Sequence, residues 1–163
     1  MATKQISVER VSVVSSKPFD DVLAKLEAAI GHPDMKALWR EINSAATYAE
    51  LEEVIQKVVG PTGLMEFMRF DMGAIMRKEM TTAPKSFRFL VGNPLIMKKM
   101  AVHVPDAASY APVTILIDER PDGVHLSYDR MASLFAGYGN SEALKVAQDL
   151  DSKIEALLTS AAK

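Results

Sequence analysis

Cysteine is missing from all 163 residues, which removes disulfides, thiolate metal centres and cysteine nucleophiles from consideration. A surplus of positive charge is missing too: 19 Lys and Arg stand against 21 Asp and Glu, a net charge of −2. A chain so balanced has no field to gather a phosphate backbone, so no nucleic-acid partner is expected. Apolar runs are only a few residues long, far short of the roughly 20 that a spanning helix needs, and no membrane partner is expected. The opening MATKQISVERV lacks a basic stretch followed by an apolar one, so no secretory signal is read and a cytoplasmic location is expected. No glycine-rich phosphate loop and no Gly-x-Ser-x-Gly elbow occurs. His32, His103 and His125 fall on different predicted elements, without the i, i+4 pairing of a helical zinc site, and no metal site is expected. One His and one Met can still ligate a haem iron, so haem is not excluded although no cofactor is predicted.

What the chain has is an ordinary globular composition, 48% hydrophobic and 25% charged, together with ten methionines. Its length fits a single domain, residues 1–163, able to bury about two thirds of its unfolded surface. Residues 6–14, ISVERVSVV, are rich in β-branched side chains and predict a strand. Ser16 is a candidate cap and Pro18 suits the first turn of a helix carrying Phe19, Val22, Leu23, Leu26 and Ile30, stopped by Gly31. His32-Pro33-Asp34 opens a second helix with Met35, Leu38, Trp39 and Ile42 on one face. Thr47-Tyr48-Ala49-Glu50 has capping-box spacing and starts a third, which buries Leu51, Val54, Ile55 and Val58 before Gly60.

The stretch FMRFDMGAIMRKEM, residues 67–80, sets methionines at 68, 72, 76 and 80. One helix would give that beat, but Gly60 and Gly63, the aromatics at 67 and 70, and Gly73 favour a strand to about Met72 followed by a short helix, 74–80. Strict alternation puts Leu64, Glu66, Met68, Phe70 and Met72 on one side and Met65, Phe67, Arg69 and Asp71 on the other. Beyond it, residues 85–91 read as a strand. Asn93 and Pro94 open a helix reaching towards Val104, and a loop from Asp106 to Pro112 follows. Pro121-Asp122-Gly123 joins strands 113–118 and 124–128 in a hairpin, and a helix over 141–161 closes the chain.

Four pieces in order, FMRFDMG, VGNP, SYAPVTILID and DGVHLSYDRMA, resemble the family known as domain of unknown function 302 (DUF302), from about Phe67 to the end, with the first strand and helix also matching. The resemblance implies an α+β fold: an antiparallel β-sheet of about five strands with helices packed on one face, in a β-α-β-rich arrangement like that of the TATA-binding protein. It also implies homodimers, and it makes the helical pair near residues 32–60 an extra insertion. Family patterns commonly carry His after the Asp of the segment matching Arg69-Phe70-Asp71; here Met72 stands there, which weakens any Asp-His chemistry.

Candidate site residues follow from polar groups set among apolar strand positions. Arg69 and Asp71, two apart on one side, are placed to pair; the commoner outcome is a surface ion pair, the functional one a carboxylate held beside a pocket. On the last strand Val124, Leu126 and Tyr128 alternate with His125, Ser127 and Asp129, so an inward Tyr128 needs a partner for its hydroxyl, most simply a core group. Asp129 serves a ligand or caps the next turn, and Asn93, at a helix N-terminus after Gly92, offers an anion seat of the kind every helix start has. The leading expectation is a small-molecule-binding homodimeric domain with a Met- and aromatic-lined apolar pocket between sheet and helices; Arg69, Met72, Asn93, Tyr128 and Asp129 are its candidate ligand contacts. The alternatives are an acid–base enzyme of lyase or isomerase type using Asp71 with Tyr128 or His125, and a structural or regulatory homodimer without ligand.

Overall fold

The computed structural model describes Thr3, residues 5–80 and residues 82–163. Five antiparallel strands, β1 (Arg10–Ser15), β2 (Met65–Asp71), β3 (Ser86–Gly92), β4 (Val113–Arg120) and β5 (Gly123–Asp129), form one sheet in the order β1-β5-β4-β3-β2. The long helices α1 (Phe19–Ala29), α5 (Pro94–Ala101) and α8 (Ser141–Ala162) cover one face. The expected α+β architecture, with its five-stranded antiparallel sheet and one-sided helical layer, is the one observed. Between sheet and helices the side chains of Val22, Leu26, Phe89, Ile115, Leu126 and Ile154 are fully buried. One row of paired residues runs across this packed face: Val11, Tyr128, Ile115, Phe89 and Arg69.

The helical pair expected at 32–60 is α2 (Met35–Ser44) and α3 (Tyr48–Gln56). Asp34 caps α2 through the N–H groups of Lys36 and Ala37, and Thr47 caps α3 through Glu50. Together they build a second, smaller core of Leu38, Ile55, Met65 and Leu95 at the β2 margin. A seam of backbone bonds fastens the pair there. Leu64 accepts from both Gly31 and Gly60 at 2.9 Å, and Glu66 donates to the Gly31 carbonyl at 2.8 Å.

Several boundaries differ from the sequence expectation. β1 begins at Arg10 rather than Ile6, because its partner β5 ends at Asp129, opposite Arg10; the Glu9 carbonyl still accepts from Arg130 N–H at 2.9 Å, but its own N–H turns to the Ser133 hydroxyl and the ladder stops. Pro18, not Ser16, occupies the N-cap of α1, its carbonyl accepting from Asp21 and Val22. β2 stops at Asp71 and α4 spans Met72–Met76 rather than 74–80, since the Asp71 carboxylate caps it at once. The methionines at 68, 72, 76 and 80 therefore span a strand, a helix and the turn beyond. Two short helices are additional: α6 (Ala107–Tyr110) inside the expected loop, and α7 (Met131–Phe135) after β5.

The strict alternation read for β2 also fails, and the reason is a β-bulge between Glu66 and Met68. Glu66 lies opposite Val91 and Arg69 opposite Phe89, both core residues, so Glu66 and Arg69 share the helix-covered face instead of opposing each other.

Candidate functional site

Among the described residues, the face of the sheet away from α1, α5 and α8 is bordered only at one end by the short helices α6 and α7. Its paired residues include the row Ser12, Ser127, Leu116, Arg88 and Phe70, beside which lie Arg10 with Asp129, Thr114 with Leu90, and Met68. Met68 and Phe70 are widely exposed, and Ser12 approaches Ser127 at 3.3 Å between hydroxyl oxygens. Two hollows sit on this face. One, of about 320 Å3, is lined by Arg10, Ser12, Arg88, Thr114, Ser127 and Asp129 among others. The second, of about 360 Å3, runs over Leu90, Tyr110, Pro112, Met131 and Leu134, and shares Arg88, Thr114 and Asp129 with the first.

Charge on this face is paired at every point but one. Arg10 grips Asp129 with two bonds, 2.6 and 2.8 Å, and holds its carboxyl below the usual range. Arg120 bonds Asp118 at 2.6 Å, and the ring of His125 meets Asp122 at 2.9 Å. Arg88 has only a long contact, 3.4 Å, to the Thr114 hydroxyl, and no carboxylate lies within ion-pair distance among the described residues. It is the one strand arginine so placed.

The expected Arg69–Asp71 pair does not form. Asp71 accepts from Ala74 N–H at 2.7 Å and from Arg77 at 2.8 Å, so it is a helix cap with a surface partner. Arg69 bonds Glu66 at 2.8 Å and also Glu27 of α1, and its guanidinium lies 4.6 Å from the Phe89 ring centre. The bulge is what brings Glu66 round to it.

Tyr128 is buried, as the alternation implied, and its hydroxyl donates to Asp151 of α8. Asp151 also accepts from the N–H groups of Met131 and Ala132, at 2.7 and 2.9 Å. Burial first, then the carboxylate partner, pushes the Tyr128 phenol far above its ordinary value. His125, one face away, is buried too but engaged with Asp122. Asp71 lies three strand spacings from either, on the order of 14 Å, so the structure does not assemble the acid–base pair.

Asn93 caps α5 through Leu95 N–H at 2.8 Å and donates to the Gly63 carbonyl at 2.9 Å. It borders an apolar slot of about 150 Å3 walled by Trp39, Phe67, Pro94, Met97 and Pro112. This slot has the expected methionine and aromatic lining, but it opens beside α2 and not beneath the helical layer, and it is smaller than an ordinary ligand site. Met72 and Arg69 line none of these hollows; Tyr128 contributes to the first open-face hollow and Asp129 to both. Arg88 is the residue that sequence reasoning passed over. Its position between Phe87 and Phe89 in an alternating strand is the signal that points it outwards.

Among the described residues no group of three His, Asp or Glu side chains is set to hold a metal ion, and no helix is long and apolar enough to cross a membrane.

A family model described as "Domain of unknown function DUF302" matches residues 40–161, about three quarters of the chain. The chain belongs to the DUF302 family. The match takes in half of α2 and all of α3, along with every strand but β1. Among solved structures, the crystal structure of an uncharacterized conserved DUF302 protein from Bacillus stearothermophilus superposes with a TM-score of 0.65 at 11% identity, covering 94% of this chain and 98% of that one. At that identity the likeness extends to the fold alone. No curated protein matches the chain.

Proposed function

We propose that this DUF302 chain is a small-molecule-binding domain, acting in the cytoplasm as a homodimer, and that its site is the open face of the sheet. The observation that carries this reading is the pair of adjoining hollows that share Arg88, Thr114 and Asp129. Each has a volume within the range of ordinary ligand sites. The floor is a rigid β-sheet, which holds polar groups more firmly than a loop would. The proposed site thus lies on the face opposite the helical layer, and not beneath that layer as expected from the sequence.

The dimer reading rests on β2. It is an edge strand, and Met68, Phe70, Ile75 and Met80 on or just after it are exposed together. The part of the edge beyond Glu66, past the bonds to Gly31 and flanked by apolar side chains, is self-complementary about a twofold axis, and pairing it with its copy would leave both open faces accessible.

Native mass spectrometry of freshly purified protein tests both parts. The expected result is a dimer, with a retained small molecule that denaturation releases. A monomer at micromolar concentration overturns the dimer. If, in addition, no added small molecule perturbs backbone amides of β3, β4 or β5, the binding reading falls.

A further inference from the structure

Resting on that reading of the open face, we infer that its ligand is a singly charged carboxylate carrying an apolar body, with the carboxylate on Arg88. Three features of the open face converge on this chemistry. The first is charge. Asp129, Asp118 and Asp122 are each engaged by a basic group, which leaves the guanidinium of Arg88 as the uncompensated charge on the face. An arginine fork set on a rigid strand matches a carboxylate with two parallel bonds, and these charge-assisted bonds are about twice as strong as neutral ones.

The second is the mixed lining of the two hollows. On one side of Arg88 the hydroxyls of Ser12, Ser127 and Thr114 lie beside Leu116. On the other, Leu90, Pro112 and Leu134 lie beside Ser109 and Tyr110. A ligand anchored at Arg88 therefore meets apolar side chains as well as hydroxyls in either direction. An aliphatic or aromatic acid satisfies both the cation and these side chains; an apolar alcohol leaves the cation unpaired, and an ammonium ion is repelled by it.

The third feature sets the number of charges. Asp129 borders both hollows and is ionised at neutral pH, since Arg10 holds its carboxyl low. One free cation beside one fixed carboxylate accommodates a single negative charge. A phosphate monoester would bring about two, and the second would face Asp129 without a partner.

The test uses the full-length protein and a matched set of eight-carbon probes, octanoate, octanol, octylamine and octyl phosphate, each below its micellar concentration at pH 8. Titrations are followed by amide chemical shifts in wild type, Arg88→Gln and Arg88→Lys. Octanoate is expected to shift the amides of Arg88, Leu90 and Thr114, to bind at least about tenfold more tightly than octanol, and to weaken by roughly tenfold in Arg88→Gln. Arg88→Lys should recover part of the loss, since it keeps the charge without the fork. If octanol and octanoate bind this face alike and Arg88→Gln changes neither, the carboxylate assignment is overturned while the open-face site stands. Tighter binding of octyl phosphate than of octanoate overturns the single-charge argument, again leaving the site in place. If no probe moves these amides, the site and the ligand class fall together. Arg88 is exposed and outside the core, so its variants should keep the wild-type amide spectrum away from the face.

Discussion

The Tyr128 hydroxyl donates to the Asp151 carboxylate, and that carboxylate simultaneously receives the first two free N–H groups of α7. Three donors from two elements converge on one buried anion, which ties the end of β5 and the start of α7 to the middle of α8. A side chain that organises so much cannot be removed cheaply. Asp151→Ala takes the acceptor from the Ala132 N–H and from the phenol and leaves the Met131 N–H only the Tyr128 hydroxyl, 3.2 Å away, at about 1–3 kcal/mol for each unsatisfied group. The expected loss is about 3–5 kcal/mol by urea denaturation, since neighbours relax. Tyr128→Phe leaves the capping intact and should cost only about 1 kcal/mol. Equal losses for the two variants would mean that the carboxylate is not the hub.

Alkaline stability follows from the same pair. Burial and Asp151 raise the folded-state pKa of Tyr128 far above its ordinary 10.0. A raised value means that the folded state holds its proton where the unfolded chain has lost it. The stabilisation is therefore complete below about pH 10 and declines as pH rises from there towards the folded value. Unfolding free energy should fall above pH 10 in wild type, and the fall should be shallower in Tyr128→Phe. Absorbance titration at 295 nm should show the Tyr128 phenol ionising only as the protein unfolds. A Tyr128→Phe variant whose alkaline limb is as steep as wild type refutes the assignment.

The fold was legible in the sequence to the extent that single elements announce themselves. The Pro-Asp-Gly turn, Asn93-Pro94 and the Thr47 cap each lie where their local chemistry puts them. Tyr128 turned inwards because the apolar half of β5 did. What stayed hidden depends on partners distant in sequence. β1 loses its first residues because β5 ends, and the bulge in β2 turns Glu66 to the side of Arg69. No local pattern marks a bulge, so the Arg69–Asp71 pairing read from strict alternation gave way to Arg69 with Glu66 and Glu27. Asp71 had its own local reason to turn away, since a carboxylate at the start of a helix finds free N–H groups before it finds a distant guanidinium.

Arg69 is held between Glu66 and Glu27 and lies against the Phe89 ring. Replacing it leaves Glu27 and Glu66 close to each other at the junction of α1 and β2, with His32 as the remaining partner of Glu66 at 3.1 Å. Arg69→Met keeps the volume but leaves that repulsion, and a loss of about 2–3 kcal/mol is expected, below the roughly 3–5 kcal/mol for breaking a fully buried pair because these groups are partly exposed. The double variant Arg69→Met with Glu66→Gln should recover part of it. Additive losses in the double-mutant cycle would show that Arg69 and Glu66 are not coupled.

Gly31 and Gly60 face each other where the α2–α3 pair meets the sheet. A methyl on Gly31 would lie 1.8 Å from the Val58 carbonyl oxygen, and one on Gly60 would lie 2.4 Å from the carbonyl carbon of Ile30. Both obstacles are backbone, which no rotamer change relieves. The same two residues donate to the Leu64 carbonyl, so separating them also breaks the bonds that fasten the seam. Gly31→Ala is therefore expected to cost more than about 3 kcal/mol, at the upper end of single substitutions. Its first effect should be local, because the smaller core of Leu38, Ile55, Met65 and Leu95 depends on that seam while the sheet and α8 do not. Hydrogen exchange should show amides of α2 and α3 opening well before those of β4 and α8, and Trp39 on α2 reports the same event by fluorescence. If Gly31→Ala leaves the exchange of α2 and α3 unchanged, the close approach of the two backbones is not what holds the pair in place.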